Sequence, residues 1–336
     1  VVGYTSSWGA GSKEVLFVKF DSHGNMEQVN TFGHTGIEVG MSVCEADDGG
    51  FMICGYTNSF GYGEFDVYVI KTDSDGNGEW AEMYGGALTD IGNAIIKTSS
   101  GNYVINGSSG TYGSGNMNFW AFEIDPDGVQ QWEENFGLGS DFDWGKGICE
   151  TADGGFALVG DSDTHGADLL DVMLIKTDDY GFEDWRYKIS RSVFYDYGNS
   201  ICQTSDGGFI ICGATKYTNT QKNDIYMIRT NSNGNVLWTG TYGGSESDWG
   251  SSMCITNDDD YVIVGHTESF GAGKYDVYLM KLQGDPVSVD EDETLIPESA
   301  SLEQNYPNPF NNKTTITFSV KENEEAQLEI YDLYGR

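Results

Sequence analysis

Five acidic residues recur at one place in this chain: Glu38, Asp90, Asp143, Asp196 and Asp248 each stand two positions before a glycine. In three of the five an aromatic follows the acid, as Trp144, Tyr197 and Trp249. A second set of aromatics precedes glycine at Trp8, Phe60, Tyr112 and Phe270, with His165 once in the same place. Acids beside exposed rings can bind sugar, since a ring stacks on the apolar face of a pyranose and a carboxylate accepts its hydroxyl hydrogen bonds. A ring of carboxylates around one axis could also hold a hard cation such as Ca²⁺ through oxygen; no other cofactor is called for. The same pattern has a structural reading, in which each acid accepts hydrogen bonds in its own turn and each ring packs on a neighbouring blade. A third acid series (Glu14, Asp66, Asp171, Asp224 and Asp276, with Asn118 once) is expected to fix the loop before it.

Searches for other chemistry return little. The four histidines, His23, His34, His165 and His266, lie in no zinc-binding spacing. There is no Gly-x-Ser-x-Gly elbow. Gly9-Ala10-Gly11-Ser12-Lys13 is too short for a phosphate loop and opens a strand. Asp73-x-Asp75-x-Asn77 starts like a calcium loop but lacks the glutamate at its twelfth place, and reads as a turn. No catalytic residue or metal ligand is assigned. A glycosidase remains the alternative, because two of the many carboxylates could meet in space.

What must position these residues is a repeat. The glycine that closes "hydrophobic-x-hydrophobic-x-Gly" falls at Gly3, Gly55, Gly107, Gly160, Gly213 and Gly265, at intervals of 52, 52, 53, 53 and 52. A fixed period near fifty marks a propeller or a solenoid. Each period holds four short runs rich in Val, Ile, Phe, Tyr and Trp, separated by Gly, Asn, Asp and Ser, and none has a helical period. In the second unit these are strand A at 40–45, B at 51–56, C at 66–72 and D at 79–84. Strand A opens on small residues, as an innermost strand near an axis should. Tight Asp-Gly-Gly turns, such as Asp48-Gly49-Gly50, connect A to B. The fold expected is all-β: a β-propeller of four-stranded blades, about six of them visible with the first and last incomplete, over residues 1–282. An acidic linker covers 283–300. The chain opens in the middle of a strand B, and the sixth blade lacks a strand D, which an upstream segment is expected to supply. Six blades make the smallest consistent ring, and seven would need one more repeat.

The 336 residues carry 53 acidic against 17 basic side chains, a formal charge of −36. Such a surface repels nucleic acid. No apolar run is long enough to span a membrane as a helix. Of six cysteines, Cys44, Cys149, Cys202 and Cys254 share one register of strand A, and Cys54 and Cys212 one of strand B. Valine or isoleucine stands at the same registers elsewhere, so small buried apolar residues are expected. Cross-strand pairing of Cys44 with Cys54, or Cys202 with Cys212, depends on the turn.

Residues Ser200-Ile201 through Gly213 and Asp224 through Gly244 follow a pattern that resembles a family of bacterial secreted propellers, and the resemblance extends over about 1–282. The Asp-x-x-Gly-x-x-x-Trp spacing (Asp73/Gly76/Trp80, Asp125/Gly128/Trp132, Asp178/Gly181/Trp185) is similar to the tryptophan docking of quinoprotein propellers, where the ring packs between blades. Those enzymes' adjacent cysteines are absent. The tail run Asn305-Tyr306-Pro307-Asn308-Pro309-Phe310, followed by a strand-like 314–320, resembles the C-terminal sorting domain of type IX secretion substrates. That resemblance implies a β-sandwich begun at 301–336 and truncated, a partner in the type IX machinery, and a secreted or outer-surface location. The resulting expectation is a non-catalytic binding or adhesion module for extracellular glycan or protein; the alternative is a polysaccharide hydrolase or lyase at the channel mouth.

Overall fold

The computed structural model describes residues 1–284 apart from 10–11, 114–115, 138–141, 164–169, 191–194, 217–221 and 272, together with 301–302 and 318–319. The first blade holds β1 (Val2–Thr5), β2 (Glu14–Phe20) and β3 (Met26–Phe32). The second holds β4 (Glu38–Glu45), β5 (Phe51–Thr57), β6 (Asp66–Thr72) and β7 (Gly78–Tyr84). The third comprises β8 (Asp90–Lys97), β9 (Tyr103–Ser109), β10 (Asn118–Ile124) and β11 (Gln130–Asn135). The fourth comprises β12 (Asp143–Glu150), β13 (Phe156–Ser162), β14 (Asp171–Thr177) and β15 (Glu183–Ile189). In the fifth are β16 (Asp196–Gln203), β17 (Phe209–Thr215), β18 (Asp224–Thr230) and β19 (Val236–Tyr242). The sixth has β20 (Asp248–Ile255), β21 (Tyr261–Thr267) and β22 (Asp276–Leu282). Each blade is an antiparallel meander in chain order. Beyond them a two-residue bridge joins β23 (Ser301–Leu302) to β24 (Phe318–Ser319).

Residues Val1–Gly284 form one unit, a six-bladed β-propeller, and Asp285–Arg336 form another. Among the described residues there is no helix. The sorting motif at 305–310 and most of the proposed sandwich lie outside the described residues.

The third strand of each inner blade is buried on both faces, which is why its centre reads as an unbroken apolar run such as Val67-Tyr68-Val69-Ile70. Its two faces enter different cores. Met52, Val67 and Val69 of the second blade meet Ile95, Ile105 and Phe122 of the third. Val159, Val172 and Leu174 of the fourth meet Ile201, Ile211 and Ile228 of the fifth. The molecule is thus held by cores in its seams. The tryptophans pack across these seams as expected: Trp132 lies 5.9 Å from Phe156, and Trp185 lies 6.1 Å from Phe209.

Glycine sets how closely the blades approach. A Cβ on Gly55 would stand 1.8 Å from the Val39 carbonyl oxygen, and on Gly213 1.8 Å from that of Tyr197. The period-marking glycine therefore lies beneath the inner strand of its own blade. Its carbonyl in turn abuts the inner-strand glycine of the next: a Cβ on Gly92 would lie 3.2 Å from Gly55 O, and on Gly250 3.0 Å from Gly213 O. Directly after that inner-strand glycine the ladder shifts register, between Gly40 and Ser42 and at the same place in β8, β12, β16 and β20. One residue is extra in each inner strand, a β-bulge, and a bulge re-aims the side chain it carries.

One expectation needs correction. The inner strands begin two residues earlier than the small-residue run, so the recurring acids are the first residues of strands rather than parts of loops. The turn settles the cysteine register that the sequence left open: in the ladder it sets, Cys54 faces Ser42 and Cys44 faces Met52, and all six thiols are free. Burial raises Cys149 to about 12 and Cys202 to about 11, so these are packing residues, not nucleophiles.

At the sixth blade the pattern of burial breaks. Val277 and Leu279 are 82% and 69% exposed, whereas their counterparts Val67 and Val69 are fully buried against the third blade. Among the described residues no blade packs on the outward face of this blade, which has the apolar pattern of a seam.

The seam geometry predicts opposite outcomes for two substitutions. Gly213→Ala should cost about 3 kcal/mol or more, since backbone rather than a flexible side chain occupies the space. Asp259 sits at φ 59°, where the equivalent Gly49 and Gly207 both sit at φ 81°. Asp259→Gly should stabilise by about 0.5–1 kcal/mol. Denaturant unfolding of both variants beside wild type measures each shift.

Candidate functional site

The two loop sets expected on one face do meet there. The loop before each inner strand is hydrogen-bonded to the loop between the second and third strands of the same blade: Gly36 N–H donates to Ser59 Oγ (2.8 Å), Leu88 N–H to Thr111 Oγ1 (3.0 Å) and Glu246 N–H to Ser269 Oγ (2.9 Å).

The five acids stand beneath these loops. None of Glu38, Asp90, Asp143, Asp196 and Asp248 is more than 4% exposed. Glu38 accepts from the Thr57 hydroxyl (3.1 Å) and from His34 N–H (3.0 Å). Asp90 accepts from Gly86 N–H and the Thr111 hydroxyl (both 2.8 Å), and from Ser109. Asp248 accepts from Gly244 N–H and the Ser269 hydroxyl (both 2.7 Å), and from Thr267. Ser162 donates to Asp143 and Thr215 to Asp196. The carboxylates thus satisfy loop donors and hold the rim in shape, rather than facing solvent. The acids that open the third strands hold the loop just before them: Asp66 Oδ2 accepts from Tyr62 N–H (3.0 Å) and Gly63 N–H (3.1 Å).

The loop aromatics lie over the third strands. Phe60 sits 6.5 Å from Tyr68, Tyr112 5.3 Å from Trp120 and Phe270 5.3 Å from Tyr278. Trp8, Phe60 and Phe270 keep an exposed face and Tyr112 is half-buried. The glycine after each takes a left-handed φ, as at Gly61 (φ +103°), and there the Asp66 carboxylate also leaves no room for a Cβ. His165 lies outside the described residues.

The inner-strand aromatics are arranged differently. Trp144, Tyr197 and Trp249 are half-buried on the fourth, fifth and sixth blades, where the second and third have Val39 and Ile91. Tyr197 and Trp249 are 5.0 Å apart, and Trp249 stacks on His266 at 6.0 Å, which meets Tyr275 at 5.4 Å. Phe142 stacks on Trp144 at 5.5 Å. At this one inner-strand position, three successive blades carry an aromatic ring and the two before them an aliphatic side chain.

Sequence reasoning missed the bulge residues. Met41, Asn93, Lys146, Asn199 and Ser251 are the extra residues of the five inner strands, and all five line a cavity of about 470 Å³. Wall residues from five blades on one cavity identify it as the axial channel. Asn93 donates to Gly145 O (2.7 Å) and Asn199 to Gly250 O (2.8 Å), each reaching the next blade. Lys146 is the charged member. Its ammonium contacts Asp161, donates to Asn199 Oδ1 (3.2 Å) and lies 5.1 Å from the Tyr197 ring centre. Asp161 also accepts from Gly198 N–H (2.9 Å); burial pushes its carboxyl up, and Lys146 pulls against that shift. The only available signal was the Gly-x-small stretch, which does not distinguish a bulge from a regular strand.

At the opposite end a basic residue of the third strand clamps the turns. Lys71 reaches Asp48 (2.6 Å) and Glu79 (2.8 Å), Lys176 reaches Asp153 (3.0 Å), Arg229 reaches Asp206 (2.7 Å) and Lys281 reaches Asp260 (2.8 Å). Among the described residues no cluster of three His, Cys, Asp or Glu side chains could hold a metal.

No family model and no curated protein matches the chain. Among solved structures it is similar to a glucose dehydrogenase (10% identity, TM-score 0.47, 83% of this chain and 94% of that one). It is also similar to a gluconolactonase from Xanthomonas campestris (12%, 0.44, 80% and 82%). A third is an endo-arabinase from Bacteroides thetaiotaomicron (11%, 0.40, 70% and 89%). At such identities these likenesses carry nothing about chemistry.

The turn clamps give the protein an acid limit. Burial alone would raise the Asp153 carboxyl, but Thr151, Lys176 and the Gly155 amide outweigh it and hold it at about 2. A depressed folded value means the contribution is complete above about 4 and is lost as the pH falls through about 2. Asp48 and Asp206 shift the same way. Unfolding midpoints measured between these limits should fall less steeply for Lys176→Met than for wild type; equal slopes would remove the clamp as their cause.

Proposed function

We propose that this propeller is a binding module of the outer cell surface or the secreted fraction, which takes an extracellular glycan at the mouth of its axial channel without turning it over. The observation that carries the reading is the asymmetry of the rim. A purely structural aromatic would recur in every blade, whereas Trp144, Tyr197 and Trp249 occupy one arc. Behind them the bulge positions bring amide and hydroxyl groups from Asn93, Asn199 and Ser251 to the channel wall. Rings with an apolar face beside fixed polar groups suit a hydroxylated, ring-shaped ligand. The buried acids take part by holding the loops that carry the rim.

A hydrolytic reading needs two carboxyl groups facing one bond, roughly 5–9.5 Å apart. The recurring acids are buried among their own donors, and Asp161 is paired with Lys146, so binding is favoured over hydrolysis. Export by the type IX route belongs to the same proposal and rests on the tail sequence at 305–310.

An oligosaccharide array probed with the full chain, with and without Ca²⁺, tests the reading. We expect retention of glycan without release of reducing ends. Trp249→Ala should lower affinity by about tenfold, the loss of one stacking face. A turnover product, or affinity unchanged in both Trp144→Ala and Trp249→Ala, would overturn it.

A further inference from the structure

We infer that Lys146 is the specificity-determining group of this mouth and that the glycan it selects is neutral rather than uronic or sulfated. The inference rests on the glycan-binding reading above and narrows it. Five bulge residues face the channel, and four are uncharged: Met41, Asn93, Asn199 and Ser251. The fifth, Lys146, sits where the aromatic arc lies, with Tyr197 beside its ammonium. Its side chain is 27% exposed, while its partner Asp161 is 3% exposed.

A lysine ammonium carries three N–H groups. Asp161 and Asn199 accept two of them, which leaves one for an acceptor in the channel. Asp161 also receives Gly198 N–H, so it is anchored on both sides and cannot withdraw from the lysine to make way for a second carboxylate. The pair is therefore electrically neutral toward a ligand. An arriving anion gains no uncompensated cation, and it meets the field of a chain with formal charge −36. A neutral sugar gains a charge-assisted hydrogen bond to its hydroxyl or ring oxygen and meets no repulsion. Among the described residues this pair stands at the seam of the fourth and fifth blades and not at its counterparts: at the register of Asp161 the second, third, fifth and sixth blades carry Tyr56, Ser108, Ala214 and His266.

The test uses the full chain against two sets of immobilised oligosaccharides, neutral gluco-, manno-, xylo- and galacto-oligomers and acidic galacturonate, alginate and chondroitin sulfate oligomers, at low and high salt. Wild type should retain neutral members only, with affinity nearly independent of salt. Lys146→Asn places at this bulge the residue found at two others but leaves buried Asp161 without its cation, so its fold is checked by circular dichroism and Lys146→Gln/Asp161→Ser is measured beside it; in both, neutral binding should fall at least about tenfold. Asp161→Asn keeps an acceptor for Gly198 N–H but frees the lysine charge, and should bring acidic members onto the array in a salt-sensitive manner. Retention of acidic oligomers by wild type at least as tight as of neutral ones, or unchanged neutral binding by Lys146→Asn, would overturn the selectivity and leave the glycan reading intact. No retention of either set by a folded wild type would overturn both.

Discussion

Wherever two blades meet, a carbonyl oxygen occupies the place of a side chain. The glycine that marks each repeat lies under the inner strand of its own blade, and its carbonyl lies against the first glycine of the next inner strand. Backbone meets backbone there, so the approach of the blades is set by atoms every residue shares. The cost is a glycine at two positions per repeat and one residue too many in the inner strand. That surplus residue becomes the bulge, and the bulge makes the channel wall.

The two ends of the blade divide the electrostatic work. At the rim, buried carboxylates accept from loop amides and hydroxyls, while at the far end buried lysines and an arginine tie the turns together. The third blade keeps its rim carboxylate, Asp90, but departs from the others along its third strand. Glu123 replaces the cation, and burial raises its carboxyl; Asn118 replaces the acid and donates to Tyr112 O. In the same blade Asn106 Oδ1 and Ser108 Oγ are buried without a protein partner. Buried polar atoms of this sort weaken a seam by about 1–3 kcal/mol each unless something pairs with them.

The fold was legible because period and alternation both survive in a repeat. The third strands at 66–72 and 276–282 fall where the apolar runs put them, and the tryptophans dock across seams as their spacing implied. The site was legible only in part. Trp144, Tyr197 and Trp249 could be singled out because they break the repeat, whereas Glu38 and its equivalents drew attention for the opposite reason and are buried. Lys146 was invisible, since a reading in twos cannot tell which residue of Lys146-Gly147 is out of step. Cys44 and Cys54 could not be judged because the length of the turn at 46–50 decides what each faces.

Since backbone atoms and glycines form the closest seam contacts, the scaffold does not prescribe one side chain at the bulge. Methionine, asparagine, lysine and serine all occupy it within this one chain. A lineage can therefore rewrite the lining of the pore one letter at a time, with the scaffold left in place. Duplication of a blade would add one more such letter, so pore lining and ring assembly are free to evolve separately.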